Sequence, residues 1–544
     1  VYKNFLMTSG PTLSRNLPPL STRTRAWIGS GLLVVVTLLL CLVMGEVLFR
    51  MVFKYPLNSV ELNPSWLEYS RYSSAAQRAR LELAKGYVAG FPTPTGVEKV
   101  WFETDPPRYV ADRPISPRVR RLFDKARAAG SGEALQGVQM PWNSAYVDQV
   151  ICNPKGDGYM RRIYDTLFVY DAPEGQPYPH VSRFQSATVP SGLSTNNFGF
   201  RGPDITLNKP PDTIRIAFAG ASTTEEAWGP HFAYPEFVGA WLNLWARKHG
   251  HDFTFEIINA GRTGFAPYPI MKTVQYEVLP LEPDIVVFYE GSNFFNPQTF
   301  IEVLPNPASK KVYPHSQDAA KRKLSSLFSE FPVARYSALA RHAYLLFMGR
   351  LIDSSGEPAK PGQKFFLASG VNEDDPDPDR PHLPTNLSLF VQYFDGLLEE
   401  AKRYDTEVMI ASFVWALDDG MKLDPVRNWA LRWHLNDTLW PYKYKLLRRG
   451  IDFMNRVFRN YAVSRGIAFL DIDSLMPRDP AFFGDAIHTN YEGSRLRAWT
   501  MFLSLVPLLE TRIASRNLPK ADRIIDTRHP YIKEPRLRLN ICAG

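Results

Sequence analysis

A run of twenty uncharged residues at 26–45 (AWIGSGLLVVVTLLLCLVMG) constrains this chain more than any other feature. A helix needs about 20 apolar residues to cross the hydrocarbon core of a bilayer, and this run has that length. No comparable run occurs later, so a single transmembrane helix is predicted over 26–49. Lys3, Arg15, Arg23 and Arg25 precede it with no acidic residue among them, whereas Glu46 and Glu61 dilute Arg50 and Lys54 after it. The positive-inside rule then predicts a cytoplasmic segment over 1–25, with the rest extracytoplasmic, periplasmic in a Gram-negative cell. A cleaved signal would have a shorter apolar region and a small-x-small site. The sequence continues GEVLFRMVFKYP instead, which favours an uncleaved anchor.

These 544 residues exceed what one ordinary core fills, so one large domain with insertions, or two domains, is expected. Net charge is +8, from 63 Lys+Arg against 55 Asp+Glu. That excess is scattered in short clusters (Arg161 and Arg162; Arg448 and Arg449) rather than gathered in a stripe, so no nucleic-acid partner is predicted. Cys41 falls in the span. Cys152 and Cys542 remain on the oxidising side, where exported thiols tend to pair, and a disulfide between them is one expectation, two separate thiols the other.

Residues 50–209 are rich in aromatics and proline and read as an irregular N-terminal ectodomain region, with one helix at about 75–88, packed against the domain C-terminal to it. From 210 to 515 the texture changes. Strands are predicted at 213–219 (TIRIAFA), 254–259, 284–289, 407–414 and 467–472, and helices at 234–248, 387–403 and 445–465. Nearly continuous apolar strands alternating with amphipathic helices indicate an α/β domain with a parallel sheet covered on both faces. Two connections, 296–384 and 415–444, are longer than crossovers and read as insertions. The first holds an amphipathic segment at 334–351 and the run NEDDPDPDRP. Its Asp374, Asp375, Asp377 and Asp379 lack EF-hand spacing, so a solvated loop and no metal are expected. The second carries Trp415, Trp429, Trp433 and Trp440, read as core or lid packing in preference to sugar stacking. Residues 516–544 form a polar tail.

In an open α/β sheet, ligands bind beyond the carboxyl ends of the strands. There the sequence places Ser222 after the first strand, Gly261 after the second, Asn293 after the third, and Asp485 with His488 after the fifth. Taken singly, each has a bland reading: a serine there is usually a helix cap, an Asn a turn residue, a His a satisfied core group. The other nine histidines, His434 among them, keep that bland reading. Together, a serine, loops rich in donors and an Asp/His pair are the parts for acyl transfer through a serine nucleophile.

This order of blocks resembles the SGNH (GDSL-like) hydrolase superfamily, in particular its bacterial membrane-anchored members. The resemblance covers about 197–509, with the insertions outside it, and extends to NNFGFRGPDI before the first strand and Tyr234-Pro235 at the first long helix. It implies a three-layer α/β/α, flavodoxin-like fold. It further implies Ser222 as nucleophile, His488 as general base and Asp485 as its orienting acid. The oxyanion hole would come from the Ser222 and Gly261 backbone N–H groups and the Asn293 amide. The family's Gly-Asp-Ser reads Gly220-Ala221-Ser222 here, and its Asn-Asp reads Asn293-Phe294. The G-x-S-x-G elbow and H-E-x-x-H are absent, which argues against those rival hydrolases. Arg201 and Arg262 either hold an anionic substrate group or pair with acids; both readings stand.

The function expected is a membrane-anchored extracytoplasmic serine esterase, without cofactor, acting on acyl esters, acetyl for example, of cell-envelope or exported glycans. One alternative is an acyltransferase passing the acyl group from Ser222 to a glycan. The other is a non-catalytic subunit of a membrane assembly that keeps the fold, with a membrane partner protein.

Overall fold

The computed structural model describes residues 22–53, 74–109, 194–226 (without 197 and 207), 231–303, 337–356, 363–424, 428, 431–432, 434–435 and 442–520. Cys152, Cys542, Trp429, Trp433, Trp440 and the tail beyond 520 lie outside the described residues, so the proposed disulfide does too. In chain order the long elements are α1 (Thr22–Phe53), α2 (Ser74–Gly90), β1 (Thr213–Gly220), the single turn α3 (Ser222–Glu225), α4 (Tyr234–Lys248), β2 (Thr254–Asn259), α5 (Pro267–Thr273) and β3 (Ile285–Tyr289). Then come β4 (Ile301–Val303), α6 (Ala338–Gly356), β5 (Gln363–Phe365), α7 (Leu387–Arg403), β6 (Glu407–Ala411), α8 (Tyr444–Arg465), β7 (Ala468–Leu470) and α9 (Tyr491–Ala514).

Five strands pair in parallel in the order β2-β1-β3-β6-β7. Counting only its own strands, that sheet runs 2-1-3-4-5, the flavodoxin-like order, whose topological switch lies between β1 and β3. Helices α4 and α9 pack together on one side and α5, α7 and α8 on the other, giving three layers. Every residue of β1 and β3 is buried. β3 is accordingly a continuous apolar run, and β1 is nearly one, broken by Thr213 and by Arg215, which pairs with Glu256.

Two strands end earlier than their apolar runs. β6 stops at Ala411: Ser412 N–H still donates to the Leu470 carbonyl at 2.9 Å, but beyond it the donors go to side chains, Phe413 N–H to Asn455 Oδ1 at 2.9 Å and Val414 N–H to the Tyr289 hydroxyl at 3.4 Å. β7 stops at Leu470, where the chain turns and Asp473 N–H reaches Ser412 Oγ at 2.8 Å. The first long connection also forms a small antiparallel ribbon, β4 with β5, which short, non-alternating segments did not signal. Its acidic loop is exposed but anchored on α8: Arg465 pairs with Asp379, Arg449 with Glu373, and Asn460 Nδ2 donates to Asp375 at 2.8 Å. Trp415 is buried in the core.

α1 is the one helix among the described residues long and apolar enough to cross a membrane; by length and composition it is a span or a signal sequence. The N-terminal region is fastened to the sheet domain further along. Phe102 is fully buried between Trp241 of α4 and Trp499 of α9, and its carbonyl accepts Arg495 Nη1 at 2.7 Å. Trp241 Nε1 donates to the Thr104 carbonyl at 3.2 Å. Truncating a fully buried Phe removes its transfer free energy and leaves a cavity. Phe102→Ala is therefore expected to lower unfolding stability by about 3–5 kcal/mol, measured by denaturant titration of the detergent-solubilised chain, although residue 102 lies outside the sheet domain.

Candidate active site

β1 delivers Ser222 at the carboxyl edge of the sheet beside the switch point. Ser222 opens α3, and its N–H, being first in the helix, has no intrahelical acceptor. α3 is one turn long and ends at Glu226 in a left-handed conformation (φ 48°). Its dipole is correspondingly small, and local N–H groups must do most of that work.

His488 approaches from the loop between β7 and α9. A bridge between Phe483 and Thr489 and a Gly484 N–H···O=C His488 bond at 2.8 Å close this loop into a hairpin. Within it, Asp485 Oδ1 accepts the N–H groups of Ile487 and His488, both at 2.8 Å. That is an Asx-type turn, and it explains the D-x-x-H spacing: the carboxylate folds the backbone that brings the imidazole back to it. Its Oδ2 lies 2.7 Å from His488 Nδ1, and His488 Nε2 lies 2.7 Å from Ser222 Oγ. An ionised carboxylate can only accept, so Nδ1 carries the proton and Nε2 faces the serine with its lone pair.

The electrostatics come from burial and pairing. Burial raises the Asp485 carboxyl, but the His488 charge, the hydrogen bond with His488 and the nearby His434 outweigh it and hold the group well below the usual carboxylate range. Burial lowers the His488 pKa, and the Asp485 carboxylate more than reverses this, leaving it above the ordinary histidine value. His434, in the second long connection, was not singled out by the sequence. Its Nδ1 lies 3.6 Å from Asp485 Oδ1 and accepts Ala486 N–H at 3.3 Å. No spacing or motif links residue 434 to the strand ends, so only the fold could reveal it.

The other predicted positions divide. Asn293 lies on a tight bend built by Glu290, a fully buried carboxylate whose Oε1 accepts Ser292 N–H (2.6 Å), Ser292 Oγ–H (2.9 Å) and Asn293 N–H (2.8 Å). The Asn293 amide spends one hydrogen on the Phe265 carbonyl at 2.8 Å, which orients it and leaves the second. Gly261 N–H donates to Asn259 Oδ1 at 3.1 Å, while Asn259 Nδ2 donates to the Thr224 carbonyl at 2.9 Å. Gly261 is thus part of a clasp between the β2 loop and α3 rather than an uncommitted donor. Arg201 and Arg262 take the acid-pairing reading. Arg201 is buried and donates to the carbonyls of Glu225, Glu226 and His231 at 2.8–2.9 Å beside Glu236. Arg262, 1% exposed, pairs with Glu277. Neither guanidinium faces open solvent.

Two further acidic side chains hold the turn that carries Ser222. Burial pushes Glu225 up to about 7, and its Oε2 accepts Thr263 N–H and Oγ–H at 2.7 and 2.5 Å. Glu226 accepts Tyr234 N–H at 2.7 Å, Ser494 Oγ–H at 2.5 Å and Thr489 Oγ–H at 3.1 Å, and pairs with Arg497.

A scan against protein-family models finds no match, and a search of curated proteins finds none. Among solved structures, the chain is similar to a GDSL-like lipase from Bacteroides thetaiotaomicron (13% identity, 57% of this chain and 93% of that one, TM-score 0.25). It is also similar to an acetylxylan esterase from Geobacillus stearothermophilus (15% identity, 54% of this chain and 93% of that one, TM-score 0.28). At these TM-scores the likeness bears no weight for the chemistry, which rests on the geometry of the site.

A Cβ on Gly261 would overlap the Glu225 amide nitrogen and the Thr224 carbonyl carbon. Backbone cannot yield as a flexible side chain does. Gly261→Ala is expected to push α3 out of register with His488, lowering ester turnover at least about 100-fold, since misplacement of about 1 Å costs that much. A colorimetric ester assay on the purified variant checks this.

Proposed function

We propose that this chain is a membrane-anchored serine esterase in which Ser222, His488 and Asp485 form the catalytic triad. The observation that carries the proposal is the unbroken chain of two 2.7 Å contacts from Ser222 Oγ through the His488 ring to Asp485. A serine with no base beside it is a weak nucleophile. One whose hydroxyl faces a neutral imidazole nitrogen, itself held by a carboxylate, is activated.

Ser222 Oγ would attack the ester carbonyl carbon while its proton passes to His488 Nε2. The new oxyanion would be met by the Ser222 N–H and the remaining Asn293 amide hydrogen, each such donor being worth about 3 kcal/mol at the transition state. Collapse expels the alcohol, which leaves with the proton from the imidazolium. Water then attacks the acyl-serine, giving its proton to His488, and the acid departs. Asp485 keeps Nδ1–H in place and stabilises the imidazolium throughout. Ser222 is only 6% exposed, which suits a short acyl group such as acetyl. An acetylated glycan of the cell envelope, with the domain on the extracytoplasmic side of α1, is the substrate setting we favour.

The test is direct. A fluorophosphonate probe is expected to label the wild-type chain in detergent and not Ser222→Ala, and that variant should lose about 10⁴-fold or more of its p-nitrophenyl acetate turnover with an unchanged melting temperature. Labelling and full turnover in Ser222→Ala would remove the serine mechanism, and an unlabelled, inactive wild type would favour the non-catalytic alternative.

The pH profile gives a second check. Only neutral His488 can accept the serine proton, so kcat/KM should fall as pH drops through the His488 pKa. With Asp485 ionised that limb should lie above the ordinary histidine range. In Asp485→Asn the raising charge is gone and burial remains, so the limb should move to lower pH while kcat falls about 10⁴-fold. A limb that stays put would remove Asp485 from the triad.

A further inference from the structure

Helix α6, which emerges from the first long connection, lies against the end of the apolar helix α1. The contact face on α1 is Glu46, Phe49, Arg50 and Phe53, spaced three and four residues apart and so on one side of the helix. Glu46 acts as the N-terminal cap of α6: its carboxylate accepts Ser337 Oγ–H at 2.8 Å, Ala338 N–H at 2.6 Å and Leu339 N–H at 3.2 Å. One turn further along, the His342 ring packs on Phe49 and Phe53, with centroids 5.2 and 4.9 Å away. Arg50 Nε donates to Glu46 Oε1 at 2.8 Å, and Arg50 is 8% exposed.

These contacts change how far the apolar surface of α1 extends. By sequence the uncharged run ends at Gly45. In the fold, however, Glu46 and Arg50 are paired with each other, Glu46 caps α6 and Arg50 is buried. The surface that α1 leaves exposed beyond them is apolar to its end: Val47, Leu48, Met51, Val52 and Phe53 are each 40–71% exposed. α6 continues this band. Among its described side chains the exposed positions are Leu339, Ala343, Leu346 and Phe347, at i, i+4, i+7 and i+8. On a helix of 3.6 residues per turn they fall within an arc of about 100°. A soluble surface seldom carries such a stripe, and a charge at this depth is tolerated only when paired.

We propose that α6 is a second membrane contact, resting its Leu339–Ala343–Leu346–Phe347 face among the lipids of the leaflet nearest the folded domain, beside residues 46–53. The occupant of this face is the bilayer: the stripe is continuous with the lipid-facing surface of α1, and Glu46 of that helix caps α6. The inference rests on the reading of α1 as a membrane anchor, and the experiment separates the two.

The full chain is reconstituted in phosphatidylcholine liposomes containing a phosphatidylcholine with a diazirine on its acyl chain, irradiated and digested with trypsin. Cleavage after Arg25, Arg50, Arg341 and Arg350 isolates the span (26–50) and the middle of α6 (342–350) as separate peptides. Lipid adducts are expected on both. In Leu346→Glu/Phe347→Glu, adducts on 342–350 should fall at least fivefold with those on 26–50 and p-nitrophenyl acetate turnover unchanged. Adducts on 26–50 alone in the wild type would overturn the second contact and leave the anchor. Adducts on neither would overturn both, and cross-links from 342–350 to a second protein chain would assign this face to a protein instead.

Discussion

Glu226 is the residue on which the site's geometry turns. It comes directly after the nucleophile turn, adopts a left-handed conformation and is buried. One oxygen accepts from Tyr234 N–H and Ser494 Oγ, the other from Thr489 Oγ and the Arg497 guanidinium. Those four partners lie on the start of α4, on α9 and on the residue next to His488. A single carboxylate therefore registers the serine loop against the histidine loop without touching either reactive atom. Both charges of the Glu226–Arg497 pair are almost wholly removed from solvent. Such a pair adds little net stability relative to a well-packed apolar one, yet removing either partner leaves an uncompensated buried charge. Its contribution here is registration.

The frame of the domain was legible in the sequence because it rests on periodicity. Runs such as TIRIAFA and IVVFY can only be strands covered on both faces, and the helices between them announce themselves by amphipathic spacing. The meeting of Ser222 with the Asp485–His488 pair was legible because each comes after a strand end, where an α/β sheet presents its chemistry. The residues that escaped notice have no such marker. Glu226 and Glu290 lie within short turns and read as ordinary surface acids, although each is buried and shapes a loop. His434 sits in a long connection whose path no pattern fixes. Arg201 and Arg262 look as available for a substrate anion as for a protein acid, and only burial against Glu236 and Glu277 separates the two readings.

The positions where the chain departs from the SGNH pattern are both apolar and both packed. Ala221 is fully buried beneath the nucleophile turn, and the Phe294 ring stacks on Phe390 with centroids 6.0 Å apart and planes 8° from parallel. Acidic side chains are not missing from the neighbourhood. Glu225, Glu226 and Glu290 hold the same loops from adjacent positions, through bonds to Thr263, Tyr234 and Asn293. The loops are fixed by carboxylates on one side and by hydrocarbon on the other.

Ser222 and His488 are 266 residues apart in the chain, and their meeting depends on α9, the last described helix. Contacts of such long sequence separation form late, because loop closure must precede them. On the reading of Ser222 as the nucleophile, a nascent chain thus carries its serine loop long before the imidazole that would activate it, and their contact waits for the histidine loop that Glu226 and Arg497 tie to α9.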